Sequence, residues 1–230
     1  MKQLALDIGL AGGPTLENFQ PGANAQALQH LRQAVGEAGA PRPPVPTYLW
    51  GAPGTGKSHL LRAVYEALRA QGALVGWLDP GTRWPSSFDE RWSAVLLHDV
   101  HLYNEAQQAA AFNWFINALD PAAGAPRWVL AAGELPPADL PLREDLRSRL
   151  AWGHVFQLQP LDEAGLRAVL QRQAHERGMA LAADVVDYML HHFSRDLASL
   201  SALLDRLDGF ALRTQRAVTI PLLKSMLQGE

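Results

Sequence analysis

The 230-residue chain contains no cysteine, which excludes a disulfide framework, a thiolate zinc site and a cysteine nucleophile. No apolar run approaches the roughly 20 residues that span a bilayer. The opening stretch, Met1-Lys2-Gln3-Leu4-Ala5-Leu6-Asp7-Ile8, places an acid early and lacks the long apolar segment of a secretory leader. A cytoplasmic protein with no membrane partner is therefore expected. Charge of either sign is not in excess: 20 Lys and Arg against 23 Asp and Glu leave −3. The bulk electrostatics thus lack the basic surplus of a direct nucleic-acid binder. Internal repeats are missing, and low complexity is confined to short Gly and Pro stretches. What is present is an ordinary globular balance, 48% hydrophobic and 19% charged, in a chain long enough for one large domain or two small ones.

Strand and helix patterns alternate through the first two thirds. Residues 1–13 read as a peptide followed by a glycine-rich connector. Ala23 to Ala38 has helical periodicity. Apolar runs at Thr47 to Trp50 and Ala94 to Leu97 read as buried strands, and those at Leu74 to Leu78, Trp128 to Ala132 and Val155 to Leu158 as further strands. Helical patterns at His59 to Gln71, Glu105 to Leu119 and Arg143 to Leu150 separate them. After Pro160 the pattern becomes wholly helical, with segments at Glu163 to Arg177, Ala183 to His192 and Asp196 to Arg213 and a last one near Pro221. The expectation is an α/β fold with a mainly parallel sheet over 14–159 and a small α-helical domain over 160–230.

Gly51-Ala52-Pro53-Gly54-Thr55-Gly56-Lys57-Ser58 fits the phosphate-binding loop pattern, with a strand before it and a helix after it. The glycines let backbone N–H groups converge on phosphate oxygens, and the helix N-terminus adds a favourable dipole. Lys57 would reach the β- and γ-phosphates, and the Ser58 hydroxyl would help hold Mg²⁺. His59 opens the helix beside them. Val95-Leu96-Leu97-His98-Asp99 ends a buried strand in an acid, so Asp99 is expected to hold Mg²⁺ through water. The next residue is Val100 rather than a second acid, so unaided hydrolysis is expected to be slow. His98 either touches nucleotide or is a buried histidine, the second being the plainer expectation.

Taken together, these residues resemble the AAA+ ATPases of the bacterial DnaA/Hda family. Phe19-Gln20-Pro21-Gly22-Ala23-Asn24 is similar to the family's opening box, which implies that Phe19 and Asn24 lie at the adenine. Gly133-Glu134-Leu135-Pro136-Pro137 is similar to its sensor 1 region, with Glu134 where relatives usually carry Asp. Leu146-Arg147-Ser148-Arg149-Leu150-Ala151-Trp152-Gly153 is similar to the box that holds an arginine finger, which implies Arg149 as the finger. The resemblance runs from about residue 15 to residue 230. An initiator would add a helix-turn-helix domain after the lid helices and a separate domain in front. Neither is expected here. The stretch Thr214 to Pro221 is similar to the end of the branch that inactivates DnaA.

The resemblance also gives the first residues a task. Gln3, Leu4, Leu6 and Ile8 are similar to the motif by which that branch binds the β sliding clamp of DNA polymerase III. Gln3 would bond at a groove edge and the apolar residues would anchor, with the glycine linker giving reach. An edge strand or an unstructured start is the plainer alternative for this peptide. The implied function is negative regulation of replication initiation. An ADP- or ATP-bound chain would dock on the DNA-loaded clamp, contact DNA only through it, and stimulate hydrolysis of ATP on DnaA through Arg149. Its own ATPase would be weak or nil. An autonomous AAA+ ATPase, such as a truncated initiator or helicase loader, is the competing reading. Homo-oligomers through the finger face fit either one.

Some positions depart from the family pattern. Ala198 stands where the sensor 2 arginine belongs, and Arg195, one turn earlier, is the candidate substitute for reading the phosphates. Arg149 could instead be a surface arginine paired with Asp145 or Glu144. Of the seven tryptophans, Trp50, Trp77 and Trp128 are expected in the core. Trp114, with Phe112 and Phe115, reads as core packing before interaction face.

Overall fold

The computed structural model describes residues 13–39, 43–120, 127–194 and 196–228. The residues of Pro14–Pro160 form one compact unit and those from Leu161 onward a second. Among the described residues no helix is long and apolar enough to cross a membrane.

In the first unit five parallel strands, β1 (Thr47–Trp50), β2 (Leu74–Leu78), β3 (Trp92–Leu97), β4 (Trp128–Gly133) and β5 (His154–Gln157), lie in the order β2-β3-β4-β1-β5. The helices are α1 (Ala25–Val35), α2 (Lys57–Ala70), α3 (Glu105–Ala118) and α4 (Glu144–Ala151). Strand side chains alternate between two faces, and this alternation divides the core. Leu49, Leu96, Trp128, Leu130 and Ala132 join Leu31 of α1 and Leu60, Leu61 and Val64 of α2. Tyr48, Val95, Leu97, Val129 and Ala131 join Trp114 and Phe115 of α3 and Leu146 and Leu150 of α4. β4 is buried along its whole length, as a strand covered on both faces must be. The result is the three-layer α/β arrangement that the alternating pattern predicts.

Element ends shift by a few residues from expectation, each for a local reason. α1 starts at Ala25, because Gly22–Asn24 make a 3-10 turn. α2 starts at Lys57, directly after Gly56 in a left-handed conformation. β3 reaches back to Trp92, whose indole meets Trp114 edge-on with ring centroids 4.7 Å apart. Ahead of α3, Asn104 and Gln107 exchange side-chain and backbone bonds in a capping box. The Gln107 amide also donates to the carbonyls of Pro80 and Thr82, holding the loop between β2 and β3.

The second unit is helical: α5 (Glu163–Glu176), α6 (Ala183–His192), α7 (Leu197–Thr214) and α8 (Ile220–Gln228). Leu170, Val186, Met189, Leu190, Leu200, Leu204, Leu207, Leu222 and Leu223 are fully or almost fully buried at its centre. Arg167 of α5 pairs with Asp187 of α6, tying two helices at the rim. Asp196 caps α7, accepting bonds from the Ser199 N–H at 2.8 Å and the Ser194 hydroxyl at 2.6 Å. The Ser194 bond foremost, with those from Ser199, holds its carboxyl down at about 2, against 3.8 for a free aspartate. The stabilisation from this ionised cap is therefore complete above pH ~4 and is lost as pH falls toward 2. Asp196→Ala is expected to cost about 1 kcal/mol at pH 7. The gap in melting temperature between variant and wild type should narrow as melting is repeated down to pH 3.

Candidate nucleotide-binding site

The carboxyl ends of β1, β3 and β4 carry the sequence-predicted site residues, at the edge where parallel sheets place ligand sites. The register sets Trp50 level with Gly133, and Leu97 level with Ala131. The segments leaving these three strands thus emerge side by side.

The loop after β1 is built around its glycines. Gly51 has φ +153°, and a Cβ there would lie 2.4 Å from the Leu158 carbonyl oxygen. That segment is in turn held by the bond from Leu158 N–H to the Trp50 carbonyl at 2.7 Å. Gly56 has φ +94°, and a Cβ would lie 2.6 Å from the Phe19 ring. No L side chain fits either position without displacing backbone or a buried ring. Thr55 is buried, its hydroxyl bonded to the Ala52 carbonyl at 2.9 Å, while Ala52, Pro53 and Gly54 are exposed. Lys57 is only 6% exposed. Its ammonium donates to the carbonyls of Gly51 at 2.6 Å and Ala52 at 2.9 Å. Burial pulls its pKa below the ordinary lysine value, and the carboxylates of Glu134 and Asp99 oppose that pull.

Opposite the loop, Asp99 takes a left-handed conformation, φ 51°, and is half-buried. Asp is among the few non-glycine residues that tolerate it. Val100 is fully buried, so no carboxylate follows Asp99. His98 is not the plain core histidine expected: its Nε2 lies 2.7 Å from the Ser58 hydroxyl and its Nδ1 3.4 Å from the Asp99 carboxylate. Burial lowers its pKa, with Asp99 acting against the shift. Trp77 stacks on it, ring centroids 5.6 Å apart. Glu134, after β4, faces His101, whose Nδ1 accepts the Glu134 backbone N–H at 3.3 Å and whose Nε2 is 3.6 Å from the carboxylate. His101 was not among the expected site residues. The signal for it is its place two positions beyond Asp99, inside the 3-10 turn Val100–Leu102 that folds it back.

Phe19 and Asn24 sit at the site's support. Phe19 is buried against Gly56 and tilts on His59, ring centroids 5.5 Å apart, while His59 bonds the Thr15 carbonyl at 2.9 Å. The Asn24 amide is used in both directions by the backbone of Gln159, at 2.9 and 2.7 Å. Of the tryptophans, Trp114 and Trp128 are core, whereas Trp50 and Trp77 are half-buried beside it. Phe115 is buried with Trp114, and Phe112 lies at the edge of that cluster.

Arg149, on α4, is exposed. Its guanidinium lies 5.2 Å from the centre of the Phe112 ring, and Arg143 lies 4.8 Å from the same ring. Asp145, the alternative partner considered for Arg149, is bonded by Arg143 at 2.7 Å instead. Among the described residues no carboxylate lies within ion-pair distance of Arg149. Trp152, three residues on, is 65% exposed. Ala198 is exposed in the first turn of α7. Gln3, Leu4, Leu6, Ile8 and Arg195 lie outside the described residues.

The sheet order, the phosphate loop and the acid-tipped neighbouring strand define a P-loop AAA+ module. Residues 158–227 match the family model described as the lid domain of Hda. The fold is shared with domain III of the replication initiation protein DnaA from Thermotoga maritima, at 18% identity, a TM-score of 0.77, and coverage of 99% of this chain and 98% of that one. AMPPCP-bound DnaA from Aquifex aeolicus matches at 22% identity and a TM-score of 0.66, over 85% of this chain and 65% of that one. A RuvB variant from Thermotoga maritima matches at 14% identity and a TM-score of 0.66, over 94% and 72%. Over residues 158–227 the chain is similar to Hda, and its fold is that of DnaA domain III.

Proposed function

We propose that this chain is a nucleotide-holding regulator of replication initiation. It docks on the DNA-loaded sliding clamp and stimulates hydrolysis of the ATP held by DnaA. The observation that carries the reading is the union, in one chain, of a Hda-type lid with a complete phosphate loop and an exposed arginine on α4 that pairs with no acid among the described residues. The AMPPCP found in a DnaA of the same fold supports a nucleotide in the loop.

Lys57 would exchange part of its bonding to Gly51 and Ala52 for phosphate oxygens. The donor set fits a hydrated Mg²⁺: an exposed Ser58 hydroxyl and the half-buried Asp99 carboxylate approach from two sides, and among the described residues no cluster of three or more His or acidic side chains forms a dedicated cage. When bound, Mg²⁺ would neutralise phosphate charge. Asn24 and Phe19 would set the loop's backbone against the base. With Val100 buried after Asp99, no acid directly follows Asp99 to orient an attacking water, so bound nucleotide would be held rather than turned over. Arg149 instead serves the ATP of a neighbouring DnaA subunit, and Trp152 on the same side offers that subunit an apolar contact. Gln3, Leu4, Leu6 and Ile8 supply the clamp anchor, raising the local concentration of the chain where DnaA is to be inactivated.

The test is hydrolysis of ATP prebound to DnaA, with this protein added, with and without clamp loaded on DNA. Clamp-dependent acceleration is expected. No acceleration, with turnover of ATP by this chain alone, would replace the reading with an autonomous ATPase.

A further inference from the structure

We infer that His98 is a positioning residue for the Ser58 hydroxyl, taking its proton so that the oxygen's lone pairs face the phosphate side of the loop. The inference rests on the nucleotide and Mg²⁺ reading above. A serine hydroxyl carries one proton and two lone pairs. If the proton points at random, one lone pair is as often averted from a cation as offered to it. In this site the proton has a fixed destination, the His98 Nε2 at 2.7 Å.

The direction of that bond follows from the other ring nitrogen. Nδ1 faces the Asp99 carboxylate at 3.4 Å, and an ionised carboxylate only accepts. The charge of that carboxylate draws the proton of the neutral imidazole to Nδ1, which leaves Nε2 as the acceptor for Ser58. The ring is itself held. Its backbone N–H donates to the Leu78 carbonyl at 2.8 Å. Trp77 stacks on its face at an interplanar angle of 24°, and the Trp77 indole is fixed by its bond to Asp79 at 2.9 Å. Arg62 and Lys57 from α2, with Asp79 and Asp99, are the charges around the ring. Asp99 thus acts twice, directly toward the cation's water and indirectly by setting the tautomer of His98.

The test is binding of a fluorescent ADP analogue to wild type, His98→Ala, His98→Asn and His98→Gln, each measured in Mg²⁺ and in EDTA. In Mg²⁺, His98→Ala and His98→Asn are expected to bind about tenfold more weakly than wild type, the scale of one good hydrogen bond. In EDTA all four should bind alike. His98→Gln, whose amide oxygen reaches the place of Nε2, should retain the Mg²⁺ advantage, and thermal melting checks that each variant folds. Equal losses in Mg²⁺ and EDTA, or no loss in either, would overturn the role of His98. So would a wild type that binds without regard to Mg²⁺, although nucleotide binding itself would then stand. Only a wild type that binds no nucleotide would remove the reading beneath it.

Discussion

Arg149→Ala is expected to lower the clamp-dependent hydrolysis of DnaA-bound ATP by about a thousandfold, the lower end of what arginine fingers supply in trans. Nucleotide binding by the chain itself should not change. The expectation rests on how α4 is built. Leu146 and Leu150 are buried and fix the helix to the core. Arg149, between them in sequence, turns outward, and among the described residues no acid holds it. The Phe112 ring supports the guanidinium without neutralising it, and Arg143 occupies Asp145, which would otherwise sit one turn back from Arg149. Arg149→Lys should fail nearly as badly, because an ammonium lacks the planar fork that spans two phosphate oxygens. Arg147→Ala, at a half-buried position two residues away, is the control and should leave most of the stimulation. Clamp binding, measured separately, should be the same for all three. A hydrolysis rate unchanged by Arg149→Ala would remove the finger assignment and leave a clamp-bound adaptor that never engages DnaA's nucleotide.

How much of this was legible in the sequence depended on the range of each interaction. The phosphate loop is eight consecutive residues between a strand and a helix, so its chemistry is written locally. The strands declared themselves through apolar runs, and β4 did so best, because it is buried on both faces. The relations that need the folded chain were out of reach. Nothing near Phe19 says that its ring closes on Gly56, and nothing near Asn24 says that its amide pairs with Gln159, 135 residues away. His98 looked like a core residue because it continues an apolar strand. The strand ends just there, so its ring turns to Ser58, 40 residues away. His101 meets Glu134 only because β3 and β4 pair in one register. Helical spacing offers Asp145 and Glu144 as partners for Arg149. The geometry at the start of α4 decided for Arg143.

Lys57 gives the second large effect, and here affinity and stability should part. Lys57→Met is expected to weaken ADP binding by about 100-fold, the scale of a charge-assisted bond to phosphate. The melting temperature without nucleotide should fall little, or rise. A cation that is 6% exposed has given up its water, and the depressed pKa records that cost. Two carbonyls, Gly51 and Ala52, repay part of it, and Ala52 is exposed and can turn to water once the ammonium is gone. The unliganded protein thus carries a destabilising charge whose benefit arrives with the phosphate. At an ADP concentration 100 times the wild-type Kd, binding should stabilise the wild type by about 2.7 kcal/mol, and the variant, then near its own Kd, by about 0.4 kcal/mol. Thermal melting of both proteins across an ADP titration measures the two quantities together. A variant that melts far below wild type without ADP would mean that Lys57 is chiefly a structural strut of the loop. A variant that gains as much from ADP as wild type would mean that the phosphates lie elsewhere.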